Sequence, residues 1–295
     1  MILPAVVHWN ASPYIFTIGS FGIRWYSVLF VVAFTIGWFI FKRFYERENL
    51  PSDKLMDPLL WYLAIGTLVG SRLGHCIFYD SSYYFGSIEG FLEIFMPWKG
   101  GLASHGGAIA LLIAMWLYAR RYGRKYGFSY LWIMDRLVIT VCFAGACIRL
   151  GNLFNSEIYG DVTSLPWGFI YERNGETLPK HPTQLYEALS YTVLGFVLML
   201  IYKKRLSKLH EGTIFAIFLI ALFGLRFVIE FIKEPQVAFE ETMTLNMGQL
   251  LSVPFILAGI VLLVWSVRSG GPAMLQQHTK PKSVATHYAK SLNNN

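Results

Sequence analysis

Seven apolar stretches, each close to bilayer-crossing length, divide this sequence, and charges interrupt four of them. A span needs about 20 largely apolar residues. Residues 25–41, 100–119 and 242–267 supply one cleanly. Residues 58–79 contain Arg72 and His75, 129–154 contain Asp135, Arg136 and Arg149, 184–202 contain Glu187, and 213–232 contain Arg226 and Glu230. With 55% hydrophobic residues and a mean hydropathy of +0.45, the chain is too apolar for an ordinary soluble domain. The expected fold is an all-α integral membrane protein of seven transmembrane helices.

Orientation follows from Lys and Arg, which collect on the cytoplasmic side of span ends. The connection after span one has Lys42, Arg43, Arg47 and Lys54; after span three, Arg120, Arg121, Arg124 and Lys125; after span five, Lys203, Lys204, Arg205 and Lys208. The alternate connections carry Lys99 alone, then Arg173 and Lys180, then Lys233 alone. The N-terminus is therefore expected outside and the C-terminus in the cytoplasm. MILPAVVHWNAS at the start lacks the basic flank and cleavage site of a secretory signal, so the first span is expected to anchor itself. One membrane domain over residues 1–268 and a disordered cytoplasmic tail over 269–295, with Lys280, Lys282 and Lys290, complete the expected organisation. Inner loops account for much of the net charge of +7, which gives no reason to expect nucleic acid.

On this map the polar residues collect in the outward half of the membrane: Arg24 and Tyr26 at span one, Arg72 and His75 at span two, His105 at span three, Arg149 at span four, His181 and Glu187 at span five, and Arg226 and Glu230 at span six. A charge within a span costs roughly 2.5 to 3.5 kcal/mol on insertion scales, so it normally faces protein or a wet cavity. Arg72, His75 and Tyr79 share one helical face, as do Arg149, Asn152 and Ser156, and Arg226 with Glu230. Three polar stripes at one depth imply a shared cavity.

Each residue also has a plain structural reading. Arg226 with Glu230, or Arg149 with Glu157, would serve as an internal pair. Arg24 and Arg72, near the interface, and Asp135 with Arg136, at the inner end, are expected to snorkel. His75 is expected as a hydrogen-bonded core residue, and Trp25, Tyr26 and Trp98 suit an interfacial aromatic belt. Gly66, Gly70 and Gly74 form GxxxGxxxG, whose ordinary use is close helix packing. Cys76, Cys142 and Cys147 read as small buried hydrophobes. His105 differs, because KGGLASHGGA surrounds its imidazole with glycines that let a ligand approach the backbone.

Several arginines at headgroup depth, with few carboxylates, favour an anion, and guanidinium forks match phosphate oxygens in pairs. The anion accessible there is a phospholipid headgroup. A neighbouring histidine, titrating near neutral pH, has the chemistry to take a proton from a nucleophile. The alternative is a seven-helix transporter or scramblase for anionic lipids or anions. That requires a polar path through the inner halves of the spans, which are almost entirely apolar. A retinal-type receptor would need a lysine in residues 242–267, and there is none.

Five runs carry a resemblance: SHGGAI (104–109), IRLGNLFNSEIYG (148–160), HPTQLYEAL (181–189), RFVIEFIKEPQ (226–236) and NMGQLLSVP (246–254). In order, spacing and topology, over about residues 13–268, the chain resembles the prolipoprotein diacylglyceryl transferases. The resemblance implies a multi-pass enzyme of the bacterial inner membrane with its active site toward the outer leaflet. It implies transfer of the diacylglyceryl group of phosphatidylglycerol to the lipobox cysteine of a preprolipoprotein signal peptide. A thioether forms and glycerol phosphate leaves. By resemblance His105, Arg226 and Tyr26 are the catalytic candidates, with His105 as base. Arg149, Asn152, Glu157, Gly160 and Glu230 are the substrate-binding candidates, with the lipid phosphate on Arg149 and Arg226. No metal or cofactor is expected. Arg24, in IRWYS, stands where some relatives show histidine, and His75 where an aromatic residue often occurs.

Overall fold

The computed structural model describes residues 6–19, 21–205, 208–235 and 243–268; the expected tail and Thr242 lie outside these residues. Its α-helices are α1 (Trp25–Arg47), α2 (Ser52–Phe78), α3 (Ser81–Gly86), α4 (Ile88–Glu93), α5 (Ser104–Tyr118), α6 (Arg124–Tyr126), α7 (Tyr130–Asn155), α8 (Thr183–Arg205), α9 (Thr213–Ile229) and α10 (Met247–Arg268). Five segments, α1, α7, α8, α10 and α9 with the 3-10 turn to Ile232, are long and apolar enough to cross a membrane. Large apolar residues such as Val31, Leu257 and Val261 stand exposed on them, which a bilayer tolerates and water does not. At 27 residues α2 is longer than these but carries Arg72 and His75 near its end. After 15 regular residues α5 runs into a π-helical stretch, Ala119–Gly123, and then α6.

The fold is mostly, not wholly, helical. β1 (Val7–Trp9) pairs in parallel with β4 (Phe169–Tyr171), and β2 (Tyr14–Ile18) forms an antiparallel hairpin with β3 (Phe21–Arg24). Segments of three to five residues are too short to show a period in the sequence. Two expected span limits also shift. Gly100 and Gly101, with φ of 93° and 73°, keep residues 100–103 out of α5. At the last span, the Asn246 side chain accepts from the Gln249 N–H at 2.9 Å and the Gln249 side chain from the Asn246 N–H at 3.1 Å, a reciprocal cap that starts α10 at Met247.

The chain divides into two compact units. One contains Lys42–Met134. In it α2 lies on α5 through the glycine stripe: Gly66, Gly70 and Gly74 face Ala114, Ala110 and Gly106, and a Cβ at Gly74 would stand 2.6 Å from the Gly106 Cα. Arg72 does not snorkel. It is 4% exposed and donates to the carbonyls of Ile94 (3.1 Å), Gly100 (2.6 Å), Gly101 (3.2 Å) and Glu93, with Tyr84 under its guanidinium. Carbonyls in a connection of short helices and turns supply these partners, and a planar fork can serve several at once. His75 stacks on Tyr79, with ring centroids 5.5 Å apart, and meets Tyr84 edge-on; among the described residues these ring contacts, not the expected hydrogen bond, hold it.

The other unit contains the described residues up to Phe41 and from Asp135 onward. Here α9 packs on both α8 and α10. Asp135 and Arg136 are fully buried, against the snorkelling expectation. The Asp135 carboxylate accepts from the backbone N–H of Gly212 (2.7 Å) and Phe215 (2.8 Å), so it satisfies donors that the start of α9 leaves open. Arg136 lies over the Tyr202 ring at 5.6 Å. Arg24, exposed, donates to the Tyr14 hydroxyl across the hairpin at 3.1 Å. Cys142 and Cys147 here, and Cys76 in the first unit, are free and buried.

Candidate active site

In this second unit, the start of α1, the end of α7, the start of α8 and the end of α9 bring ionisable side chains together. Arg149 on α7 places Nε 3.0 Å from Oε2 of Glu187 on α8, a carboxylate with no exposed surface. Its Nη1 reaches the Asn152 side-chain oxygen at 3.4 Å. The other oxygen of Glu187 accepts from Lys233 Nζ at 3.2 Å and from the Tyr191 hydroxyl at 3.3 Å. Lys233 Nζ also donates to Glu230 Oε2 at 3.1 Å, and the same oxygen lies 4.0 Å from Arg226 Nε. Burial makes such pairing obligatory, since a lone charge out of water would cost several kcal/mol.

Arg226 is the least committed of the three cations, 32% exposed and in ionic contact with one carboxylate at the limit of range. Glu230 lies against Gly248 at the start of α10, where any Cβ would strike the carboxylate. The Asn246 amide donates to the Glu230 carbonyl at 3.1 Å, which ties α10 to the end of α9.

The loop after α7 is shaped by backbone that few residues adopt. Ser156 and Ile158 have φ of 56° and 61°. Other elements hold them there: Asn174 donates to the Ser156 carbonyl (2.7 Å), Gln184 to that of Glu157 (2.8 Å) and Thr183 to that of Ile158 (2.8 Å). The Glu157 carboxylate stays exposed and accepts from Asn152 at 2.7 Å and Asn155 at 3.1 Å. Thus Glu157 is not the ionic partner of Arg149; Glu187 is. Gly160 closes the loop against residue 233 in an antiparallel bridge, and a Cβ there would run into the Ile232 carbonyl. Tyr26 is half-buried with its ring against α7 at Gly151, where a Cβ would approach it to 2.6 Å.

His105 belongs to the Lys42–Met134 unit, exposed in the first turn of α5, with its ring 5.4 Å from that of Phe78 and 5.7 Å from that of Tyr79. Outside the helices, Lys180 salt-bridges Glu176 at 2.9 Å and also Glu234. Burial acts against its charge, but the hydrogen bonds to Glu234 and Glu176 more than offset it and hold the ammonium above its ordinary 10.5. Burial likewise disfavours the Glu176 carboxylate, and hydrogen bonds from Lys180 and Tyr159 outweigh it, holding the carboxyl below 4.5. Among the described residues no group of three or more His, Cys, Asp or Glu is placed to hold a metal ion.

A family profile described as prolipoprotein diacylglyceryl transferase matches residues 13–265. The chain belongs to this family. Relatives named phosphatidylglycerol–prolipoprotein diacylglyceryl transferase include one from Tolumonas auensis, 43% identical over 89% of this chain and 98% of its own, and one from Porphyromonas gingivalis, 45% identical over 91% and 98%. A third, from Bacteroides fragilis, is 41% identical over 86% and 93%.

In this diacylglyceryl transferase the structure therefore gathers Tyr26, Arg149, Asn152, Glu157, Gly160, Arg226 and Glu230 in one unit and carries His105 in the other. The premise of few carboxylates does not hold, because Glu187 and Glu230 sit among the cations. Sequence reasoning left Lys233 and Glu187 out of the candidate set. Both gave a signal: Lys233 follows Glu230 by one helical turn, and Glu187 is the one charge in an otherwise apolar span.

Proposed function

We propose that this member of the family transfers the diacylglyceryl group of phosphatidylglycerol to the thiol of the lipobox cysteine of a preprolipoprotein. The sulfur–carbon bond forms as the bond from the glyceryl carbon to the phosphate oxygen breaks. The thiol loses its proton and glycerol phosphate leaves. The observation that carries the reading is the pair Arg149 and Arg226, held by buried carboxylates at the same end of one unit, with Arg226 still a third exposed.

In this mechanism Arg149 and Arg226 bind the phosphate, and charge growing on the leaving oxygen meets cations already in place, which favours the transition state over the ground state. A thiol with a pKa near 8.5 reacts as its thiolate, so a base raises the reactive fraction. His105 takes that proton. Tyr26 and Asn152 line the phosphate side with a hydroxyl and an amide, Glu157 orients Asn152, and Gly160 lets the loop close. The reaction runs in a bacterial inner membrane, on seven spans that include α2 and the α5–α6 run, with the N-terminus and the site outside and the C-terminus in the cytoplasm.

The test uses purified protein in detergent with a lipobox peptide and compares phosphatidylglycerol with phosphatidylethanolamine by mass spectrometry of the peptide. A diacylglyceryl adduct from phosphatidylglycerol alone is expected. No adduct from either lipid, with folded protein, overturns the reading.

A further inference from the structure

We infer that Lys233 is a positioning residue that sets the separation of the Arg149 and Arg226 guanidinium groups toward a phosphate carrying one negative charge; this deepens, and rests on, the function proposed above. Its side chain is 1% exposed, and its ammonium bridges Glu187 on α8 at 3.2 Å and Glu230 beyond α9 at 3.1 Å. Each carboxylate also contacts one arginine, Glu187 with Arg149 at 3.0 Å and Glu230 with Arg226 at 4.0 Å. A continuous ionic chain, Arg149, Glu187, Lys233, Glu230, Arg226, therefore runs across three helices with Lys233 at its middle. Its backbone is fixed as well: residue 233 bridges Gly160, and the Asp161 N–H donates to the Ile232 carbonyl at 2.9 Å. One residue thus links the phosphate arginines to the loop after α7.

The alternative is that Lys233 simply neutralises two buried carboxylates. The charges within the buried chain argue against it: three cations face two carboxylates, and the nearby Glu157 carboxylate is exposed and bound by amides, so one positive charge is left over in the chain. A phosphodiester carries one negative charge, whereas a phosphomonoester carries about 1.5 to 2 at neutral pH. The surplus fits the diester, and a neutral residue at 233 would cancel it.

The experiment measures, for full-length protein in detergent, the Kd of a short-chain phosphatidylglycerol and the kcat and KM of transfer to a lipobox peptide. Lys233→Met is expected to raise lipid Kd and lipid KM about tenfold or more with the peptide KM unchanged, while Lys233→Arg stays within about threefold. Folded Lys233→Met with unchanged lipid Kd, or with an equal rise in peptide KM, overturns the proposal. Where Lys233→Met does not fold, Lys233→Met with Glu187→Gln removes one charge of each sign. The reference is then Glu187→Gln alone: a positioning role raises the lipid Kd of the double variant severalfold above that of Glu187→Gln, because the link to Glu230 and Arg226 is lost as well. A double variant with the same lipid Kd as Glu187→Gln assigns Lys233 to charge balance alone and overturns the proposal. Wild-type protein that binds lipid but transfers nothing sinks the proposed reaction, and the Kd comparison still decides the role of Lys233.

Discussion

Arg149 and Glu187 meet at 3.0 Å between α7 and α8, with the glutamate side chain wholly buried and the arginine side chain 14% exposed. Removing the carboxylate strands a buried cation, which in buried pairs costs about 3–5 kcal/mol. Glu187→Ala is expected to lower the melting temperature in detergent and to abolish transfer. Glu187→Gln, which keeps the shape, is expected to fold while losing most lipid affinity. A Gln variant with wild-type kcat/KM would show that this carboxylate does not place Arg149.

Gly160→Ala puts a methyl group against a backbone carbonyl, where no side chain can yield. Overpacking of this kind costs about 1–3 kcal/mol. Activity is expected to fall more than tenfold while overall helicity by circular dichroism is kept. Unchanged activity would mean that the loop does not need to close on residue 233.

Arg72→Lys keeps the charge and loses the fork. One ammonium cannot reach the carbonyls at Glu93, Ile94, Gly100 and Gly101 together, and each lost charged hydrogen bond is worth about 1.5–3 kcal/mol. Limited proteolysis should then cut the connection between α2 and α5 at least tenfold faster. An unchanged cleavage rate would return Arg72 to a surface role.

Asp135→Ala removes both side-chain acceptors at the start of α9 and is expected to cost about 2 kcal/mol, read as a drop in melting temperature. Asp135→Asn keeps one acceptor and should lose less. Equal stability of all three proteins would rule out the capping role.

The loop bearing Lys180 and Glu176 should show a pH plateau. The Glu176 carboxyl is held below 4.5, so its contribution is present above that value and is lost as pH falls through the lowered one. The Lys180 ammonium is held above 10.5, so its contribution is complete below that value and is lost as pH rises through the raised one. Hydrogen exchange of residues 156–182, corrected for intrinsic rate, should be flat between these limits and rise outside them. A rise between pH 6 and 9 would contradict this pairing.

Long helices were legible in the sequence because hydropathy over about 20 residues carries them, and the family motifs supplied Arg149, Asn152, Glu157 and Gly160 as candidates. The glycine stripe on α2 was equally plain, since small residues every fourth position leave a flat face. Partners were not legible. Lys233 and Glu187 are 46 positions apart and meet only through helix packing. Arg72 and Asp135 were misread as snorkelling for a related reason: their partners are backbone carbonyls and N–H groups, which every residue type provides and no motif announces. The strands escaped because three to five residues are too few to show a period.

The contact of Gly74 with Gly106 bears on how His105, one residue before Gly106, holds its place. Between side chains there is slack, because rotamers turn and neighbours shift with temperature. Where two main chains touch there is none, and the spacing is set by atomic radii alone. Bilayers that differ in acyl length or fluidity will alter what surrounds α2 and α5, yet the distance between these two helices at His105 should be the same in each of them.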